Sequence, residues 1–220
     1  MKVVIIGGGK IAYYLVKTLQ ASKHKVVVLE ERRELCEKIA TELEVDVYNG
    51  DGTNIPMLEQ AGAADADFLV AITGKDENNL IACEIGKKKF RVRQTIAKVN
   101  NPKNIEMFYK LGVDKPVSST QIIADMIEQE IEYEGMKTVF NISDSTKSIV
   151  EFVLSEKSAA CSKTLQEYKF PGESKVVLIT RKDGTIVMPA GSVFMKAEDT
   201  VLLICDESQY ETVWRTMVKK

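Results

Sequence analysis

The chain has 220 residues, 45% of them hydrophobic and 28% charged, which fits a soluble globular protein with one large domain or two small ones. Its 30 basic and 32 acidic side chains leave a formal charge of −2, giving no global attraction to nucleic acid or acidic lipid. No apolar run approaches the ~20 residues of a spanning helix, no signal peptide opens the chain, and Cys36, Cys83, Cys161 and Cys205, widely spaced and without a C-x-x-C pair, read as reduced cysteines of a cytosolic chain rather than as a zinc site or a disulfide frame.

Lys2–Ile6 is an uninterrupted β-branched run, the pattern of a strand buried on both faces. Gly7, Gly8 and Gly9 follow at once, and then Ile11, Ala12, Leu15, Val16 and Leu19 recur at helical spacing. A second apolar run, Val26–Leu29, ends on Glu30. The glycines form Gly7-x-Gly9-x-x-Ala12, a G-x-G-x-x-G/A dinucleotide fingerprint in its full strand–turn–helix–strand setting. Gly7 permits the tight turn, Gly9 lets a phosphate reach the backbone, and Ala12 keeps helix and strand close. The helix N-terminus offers unpaired N–H groups and a partial positive charge to a pyrophosphate. Glu30, about 20 residues on, can accept hydrogen bonds from ribose hydroxyls, and its charge disfavours a 2′-phosphate.

The alternation continues. Arg32–Thr41 predicts a helix and Val45–Tyr48 a short strand. The loop Asn49-Gly50-Asp51-Gly52-Thr53 then falls at the C-terminal edge of the sheet, where ligands bind in open α/β folds. Asp51 there is either a ligand group or a turn residue bonding its own backbone. Met57, Leu58 and Ala61 suggest a helix, Phe68–Ile72 is a buried strand closed by Thr73-Gly74, and Glu77–Lys88 is a helix whose closing lysines suit its C-terminus. Thr95–Val99, a helix over Asn104–Leu111 stopped by Gly112, and a short strand at Lys115–Val117 complete a Rossmann-like doubly wound parallel sheet. Ser118-Ser119-Thr120-Gln121 is a capping signal. The helix after it carries Ile122, Ile123, Met126, Ile127 and Ile131, a broad apolar face that either covers the sheet or packs on a partner subunit.

After Gly135 the pattern changes to short strands at Thr138–Ile142, Ile149–Leu154, Lys175–Arg181, Thr185–Met188 and Thr200–Cys205, with Asp183-Gly184 as a hairpin turn. Short helices are predicted at Thr164–Tyr168 and Glu207–Val218. The boundary falls near Glu134, dividing the chain into 1–133, a nucleotide-binding domain with its crossover helix, and 134–220, a small α+β domain.

These motifs together resemble the cytosolic regulators of Trk/Ktr-type potassium uptake, built from RCK N-terminal (TrkA-N) and RCK C-terminal (TrkA-C) domains. The likeness rests on Gly7-Gly8-Gly9-Lys10-Ile11-Ala12, Glu30, Gly50-Asp51-Gly52-Thr53, Leu69–Thr73 followed by Asp76-Glu77-Asn78-Asn79, and Lys110–Asp114. In the second half it rests on Val176–Gly184, Met188–Gly191 and Ala197–Ile204. The resemblance implies a homodimer that assembles into an octameric ring on the inner face of the cell membrane, beneath a potassium transporter subunit of TrkH/KtrB type. NAD(H) or ATP/ADP would sit in each N-terminal domain and favour different ring shapes. Carried over, Gly7, Gly8, Gly9, Lys10 and Ile11 would hold phosphates and Glu30 the ribose. Asp51, Gly52 and Thr73 would line the adenosine side, with Lys98 near the cleft. Lys10 suits a highly charged ligand such as a triphosphate, or is simply an exposed helix lysine. The ATP-selective branch of the family carries an acid where this chain has Ser118, which leaves NAD(H) against ATP/ADP open. Family C-terminal domains sometimes bind cyclic di-AMP at their dimer interface, and no residue here decides that point.

The competing reading is an NAD-dependent oxidoreductase, which needs an acid or base beside the nicotinamide. The one histidine, His24, falls in the turn before the second strand, at the wrong edge of the sheet. No catalytic pairing or metal cluster stands out, so the expectation is a regulator without catalysis of its own.

Overall fold

A computed structural model describes residues 1–142 and 145–219. The chain divides into two compact units, Met1–Ile122 and Ile123–Lys220.

The first unit holds six strands: β1 (Lys2–Ile6), β2 (Lys25–Glu30), β3 (Asp46–Asn49), β4 (Phe68–Ala71), β5 (Gln94–Lys98) and β6 (Lys115–Val117). Between them run α1 (Lys10–Ala21), α2 (Arg33–Leu43), α3 (Ile55–Gln60), α4 (Asp76–Lys88) and α5 (Ile105–Lys110). The strands pair in parallel in the order β3-β2-β1-β4-β5-β6. This is the expected doubly wound sheet, and its order reverses between β1 and β4. Alternate residues of the central strands feed two cores. Val3, Ile5, Val26, Val28 and Val70 pack with Ala12, Val16 and Ile39 on the α1/α2 face. Val4, Ile6, Val27, Leu29 and Leu69 pack with Leu58, Ala82, Cys83 and Phe108 on the opposite face. Burial on both sides explains why these strands read as unbroken apolar runs.

Helix α6 (Ser119–Glu132) follows β6 and has no buried residue. Of the two uses open to its apolar face, the structure leaves that face uncovered: Ile122, Ile123, Met126, Ile127 and Ile131 are all exposed. Ser118 is buried, and its hydroxyl accepts from the Gln121 N–H at 3.3 Å, as the capping signal anticipates.

The second unit is an antiparallel sheet in the order β10-β9-β11-β8-β7, from β7 (Met136–Asn141), β8 (Lys147–Val153), β9 (Lys175–Thr180), β10 (Ile186–Val187) and β11 (Thr200–Asp206). The β9–β10 hairpin closes at Asp183-Gly184, with Gly184 at φ +84° and the Asp183 carboxylate accepting from the Thr185 N–H at 2.9 Å. β8 and β11 bury every second residue, as half-buried strands should. Val150, Phe152, Val201 and Leu203 thereby meet Met136, Val213 and Met217 in one core.

One expected helix is absent. Thr164–Tyr168 forms turns, with Thr164 bridged to Phe194. The Glu167 carboxylate accepts from the Thr164 N–H at 2.9 Å and from its hydroxyl at 2.8 Å, and the Leu165 and Gln166 N–H groups donate to Val193 O at 2.9 Å and Gly191 O at 3.1 Å. Beyond the single turn closed by Tyr168 N–H to Thr164 O at 3.1 Å, the helical ladder is thus replaced by a side chain and a distant segment. The final segment is helical in pieces, a 3₁₀ turn at Glu207–Gln209, then α7 (Tyr210–Val213), then a widened turn over Trp214–Val218.

Phe152 is 2% exposed in the second core. Phe152→Ala should destabilise that unit by about 3–5 kcal/mol. Urea unfolding followed by the fluorescence of Trp214, the chain's one tryptophan, measures this directly. A loss below about 1 kcal/mol would contradict the packing described.

Candidate nucleotide site

At the C-terminal edge of the parallel sheet, where its order reverses, lies a cavity of about 550 Å³. The turn between β1 and α1 forms its floor. Gly7 has φ +103°, a conformation glycine adopts freely, and a Cβ there would press on the Ile72 and Thr73 backbone at 3.2 Å. Its N–H donates to Leu29 O at 2.8 Å, fastening the turn to β2. Gly9 is the N-cap of α1, and a Cβ on it would meet nothing within 4 Å. The space beside Gly9 is therefore open towards the N–H groups of the first helical turn, where an anion is favoured.

Glu30 ends β2 and is 4% exposed. One carboxylate oxygen accepts from the Arg32 N–H at 2.9 Å and the Arg32 Nε at 2.8 Å, and the other accepts from the Gly8 N–H. Burial pushes its pKa up, but the Arg32 guanidinium and the Arg32 and Gly8 amides outweigh it and hold the carboxyl below the ordinary glutamate range. Glu30 is thus ionised, buried and already engaged. Any further donor to Glu30 must share its oxygens or displace the Arg32 side chain, which is 68% exposed.

The loop after β3 supplies the next wall. Both readings of Asp51 find a counterpart in its geometry. One carboxylate oxygen accepts from the Thr53 N–H and hydroxyl, both at 2.8 Å, which is a turn role. The residue also lines the cavity. Gly52 follows, and any side chain there would overlap Ile6 at the end of β1. Thr73, just beyond β4, and Lys98, at the end of β5, complete the opposite wall.

Of the residues singled out in the sequence, Gly7, Gly9, Lys10, Ile11, Glu30, Asp51, Gly52, Thr73 and Lys98 all line this one cavity. Gly8 does not, because its N–H faces the Glu30 carboxylate and a Cβ on it would sit 2.9 Å from Glu30 Cγ. Sequence reasoning missed Arg32, Lys75 and Asn78, which also line the cavity. A basic residue two places after the strand-ending acid was the available signal for Arg32. Lys10, Arg32, Lys75 and Lys98 set four cations against Glu30, Glu31 and Asp51, a balance that suits an anionic ligand with polar sugars. The lining includes no histidine, cysteine or tyrosine, and His24 lies in the turn before β2, at the far edge of the sheet.

Two family models match the chain, the TrkA-N domain over residues 3–119 and the TrkA-C domain over residues 149–216. A Trk system potassium uptake protein TrkA homolog of Methanothermobacter thermautotrophicus is 30% identical over 189 residues, covering 86% of this chain and 86% of that protein. Among solved structures, a GsuK channel bound to NAD matches all of this chain with a TM-score of 0.69 at 18% identity, and the chain spans 40% of that channel's length. GsuK bound to ADP matches 60% of the chain with a TM-score of 0.54 at 21% identity, over 34% of its own length. The chain belongs to the TrkA family, with a TrkA-N domain in its first half and a TrkA-C domain in its second.

Proposed function

We propose that this chain is a cytoplasmic regulatory subunit of a Trk-type potassium uptake system, in which the β1–α1 turn binds NAD(H) or ATP/ADP without transforming it. The observation that carries this reading is the open space at Gly9, set at a helix N-terminus inside a cavity walled by Glu30, Asp51, Thr73 and Lys98. It is supported by the NAD-bound and ADP-bound GsuK relatives, whose fold the chain shares. Phosphates rest on the amides of residues 9–12, since those of Gly7 and Gly8 are taken by Leu29 and Glu30, while Glu30 and Arg32 meet the ribose and Asp51, Gly52 and Thr73 face the adenosine. The N-terminal domain runs through the crossover helix to residue 133, and residues 134–220 form the regulatory C-terminal domain.

The exposed apolar face of α6 is a surface of the kind that mediates association, and it supports a homodimer as the building unit of a larger ring. Among the described residues no helix is long and apolar enough to cross a membrane. The Trk-system name of the relatives supports a membrane potassium transporter as the partner, which this chain would dock onto from the cytoplasmic side. A ligand moves that transporter only through its different affinity for the two ring shapes. An NAD-dependent oxidoreductase on the same cleft requires a proton donor or acceptor placed at the nicotinamide, and the histidine lies elsewhere.

Calorimetric titration of the folded chain with NADH, NAD, ATP, ADP and cyclic di-AMP separates these readings. Binding of an adenine nucleotide without turnover of NADH in the presence of small oxo acids is the expected result. Failure of every adenine nucleotide to bind would overturn the proposal, and turnover would favour the oxidoreductase. Gly9→Val should keep the thermal midpoint, because its side chain enters open space, yet weaken nucleotide binding at least about tenfold by filling the phosphate position.

Glu30 also ties the site to pH. Its folded pKa is depressed, so its contribution to stability is present above the unfolded value of about 4.3 and is lost as pH falls through the folded value. Glu30→Gln should cost about 1–3 kcal/mol at pH 7, and the gap to wild type should shrink as the pH drops towards 3. Urea melts across that range test it, and a gap that stays constant would show that the ionised carboxylate is not what stabilises the turn.

A further inference from the structure

Asn79 and Asp76, on the first turn of α4, do not line the cavity, yet they hold its far wall. Asn79 is fully buried. Its side-chain oxygen accepts from the Thr73 N–H at 2.8 Å and the Thr73 hydroxyl at 2.7 Å, and its amide nitrogen donates to Lys98 O at 2.8 Å. One side chain thereby joins the ends of β4 and β5, whose residues Thr73 and Lys98 face the ligand space.

Asp76 continues the connection. One carboxylate oxygen accepts from the Asn100 N–H at 2.6 Å and the Asn100 amide at 2.8 Å. The other accepts from the Asn101 N–H at 3.1 Å and the Asn104 amide at 2.7 Å. Burial raises the pKa of Asp76, but these four donors more than compensate and keep it ionised. The segment it grips is bonded to the start of α6: the Val99 N–H donates to Val117 O at 2.8 Å, and the Thr120 hydroxyl donates to Asn100 O at 3.3 Å.

We infer that Asp76 and Asn79 are positioning residues that relay occupancy of the cleft, through residues 98–104, to the first turn of α6. This rests on the nucleotide reading for the identity of the signal, but the mechanical link does not depend on it. Coupling between sites travels through packed, hydrogen-bonded groups with discrete arrangements, and here side-chain hydrogen bonds, joined by the first turn of α4 and the backbone of residues 98–100, connect Thr73 to Thr120. The relay begins at the ligand wall and ends on the helix with the exposed apolar face, so a ligand that tightens Thr73 and Lys98 biases the geometry at the root of that helix.

Hydrogen exchange of the full chain, with and without saturating NADH or ATP in separate arms, tests the inference. In wild type, nucleotide should slow exchange at residues 7–12 and also at the amides of Asn100, Asn101, Gln121 and Ile122. Asp76→Asn replaces one acceptor oxygen with a donor. It should keep nucleotide affinity within about threefold and retain the slowing at residues 7–12, yet lose it at Gln121 and Ile122. Slowing at residues 7–12 alone in wild type, or retained slowing at α6 in Asp76→Asn, would overturn the relay. If no slowing appears at residues 7–12, the nucleotide reading fails and the ligand-free arm decides the relay by itself. There, Asp76→Asn should speed exchange at Gln121 and Ile122 about tenfold, and the exposed, near-isosteric Thr120→Val should speed it to a lesser extent. Unchanged rates in both variants would sink the relay.

Discussion

The carboxylate of Glu30 is buried where three parallel strands end, and the arrangement of the cleft follows from how its charge is satisfied. A lone buried carboxylate would cost several kcal/mol and would take up a proton instead. Here it draws in the Gly8 N–H from the turn after β1 and the backbone and side chain of Arg32 from the loop after β2. Its own carbonyl accepts from the Gly50 N–H at 3.0 Å and the Asn49 amide at 3.0 Å, reaching the loop after β3. One residue therefore fixes three loops and sets the glycine turn against β2. Preorganisation of this kind lowers the ordering cost of binding.

The opposite side of the cleft is built on the same logic with a neutral group. Asn79 can both donate and accept, so it joins a strand end that offers an N–H and a hydroxyl to one that offers a carbonyl. An aspartate at that buried position would leave the Lys98 carbonyl without a donor, and a leucine would leave both strand ends unsatisfied. The two walls differ in consequence. The Glu30 side is held by a charge that Arg32 can release to a competing hydroxyl, because its guanidinium is largely exposed. On the other side, Asn79 itself is closed to solvent.

Much of this was legible in the sequence, for a physical reason. The phosphate turn, the two-sided strands and the hairpin at Asp183-Gly184 depend on local constraints: which residues tolerate positive φ, and which faces are apolar at a given period. The walls of the cleft depend on partners far apart in the chain. Asn79 meets Lys98, and Asp76 meets Asn104, and nothing in either segment alone announces the pairing. Arg32 read as the start of a helix because its nearest pattern was helical, whereas its side chain turns back to Glu30. Thr164–Tyr168 misled in the other direction. Leu165 and Tyr168 have helical spacing, but Thr164 and Glu167 bond each other's local groups, and Phe194 bridges the backbone of Thr164. Local periodicity lost there to side-chain capping and a distant bridge.

The distribution of charge in the cleft bears on what kind of ligand can act as a signal. Among the described residues, Lys10, Lys75 and Lys98 form no ion pair like that of Arg32 with Glu30, so negative charge brought to them would meet cations rather than acids. On the ribose side the sign reverses, because Glu30 and Glu31 face the same space. A 2′-phosphate would lie against that pair and could recover the loss only by drawing Arg32 off Glu30, which would leave a buried carboxylate short of a donor. With the proposed ligand the cleft would select at both ends, accepting charge along the phosphate chain and resisting it at the ribose. Lys98 is also the residue whose carbonyl Asn79 holds and whose strand runs on, through Val99 and Val117, to the root of α6. Under the proposed relay, a ligand contact at Lys98 and transmission to that helix would share one strand end, so a site of this design could read a ligand's shape without altering a bond in it.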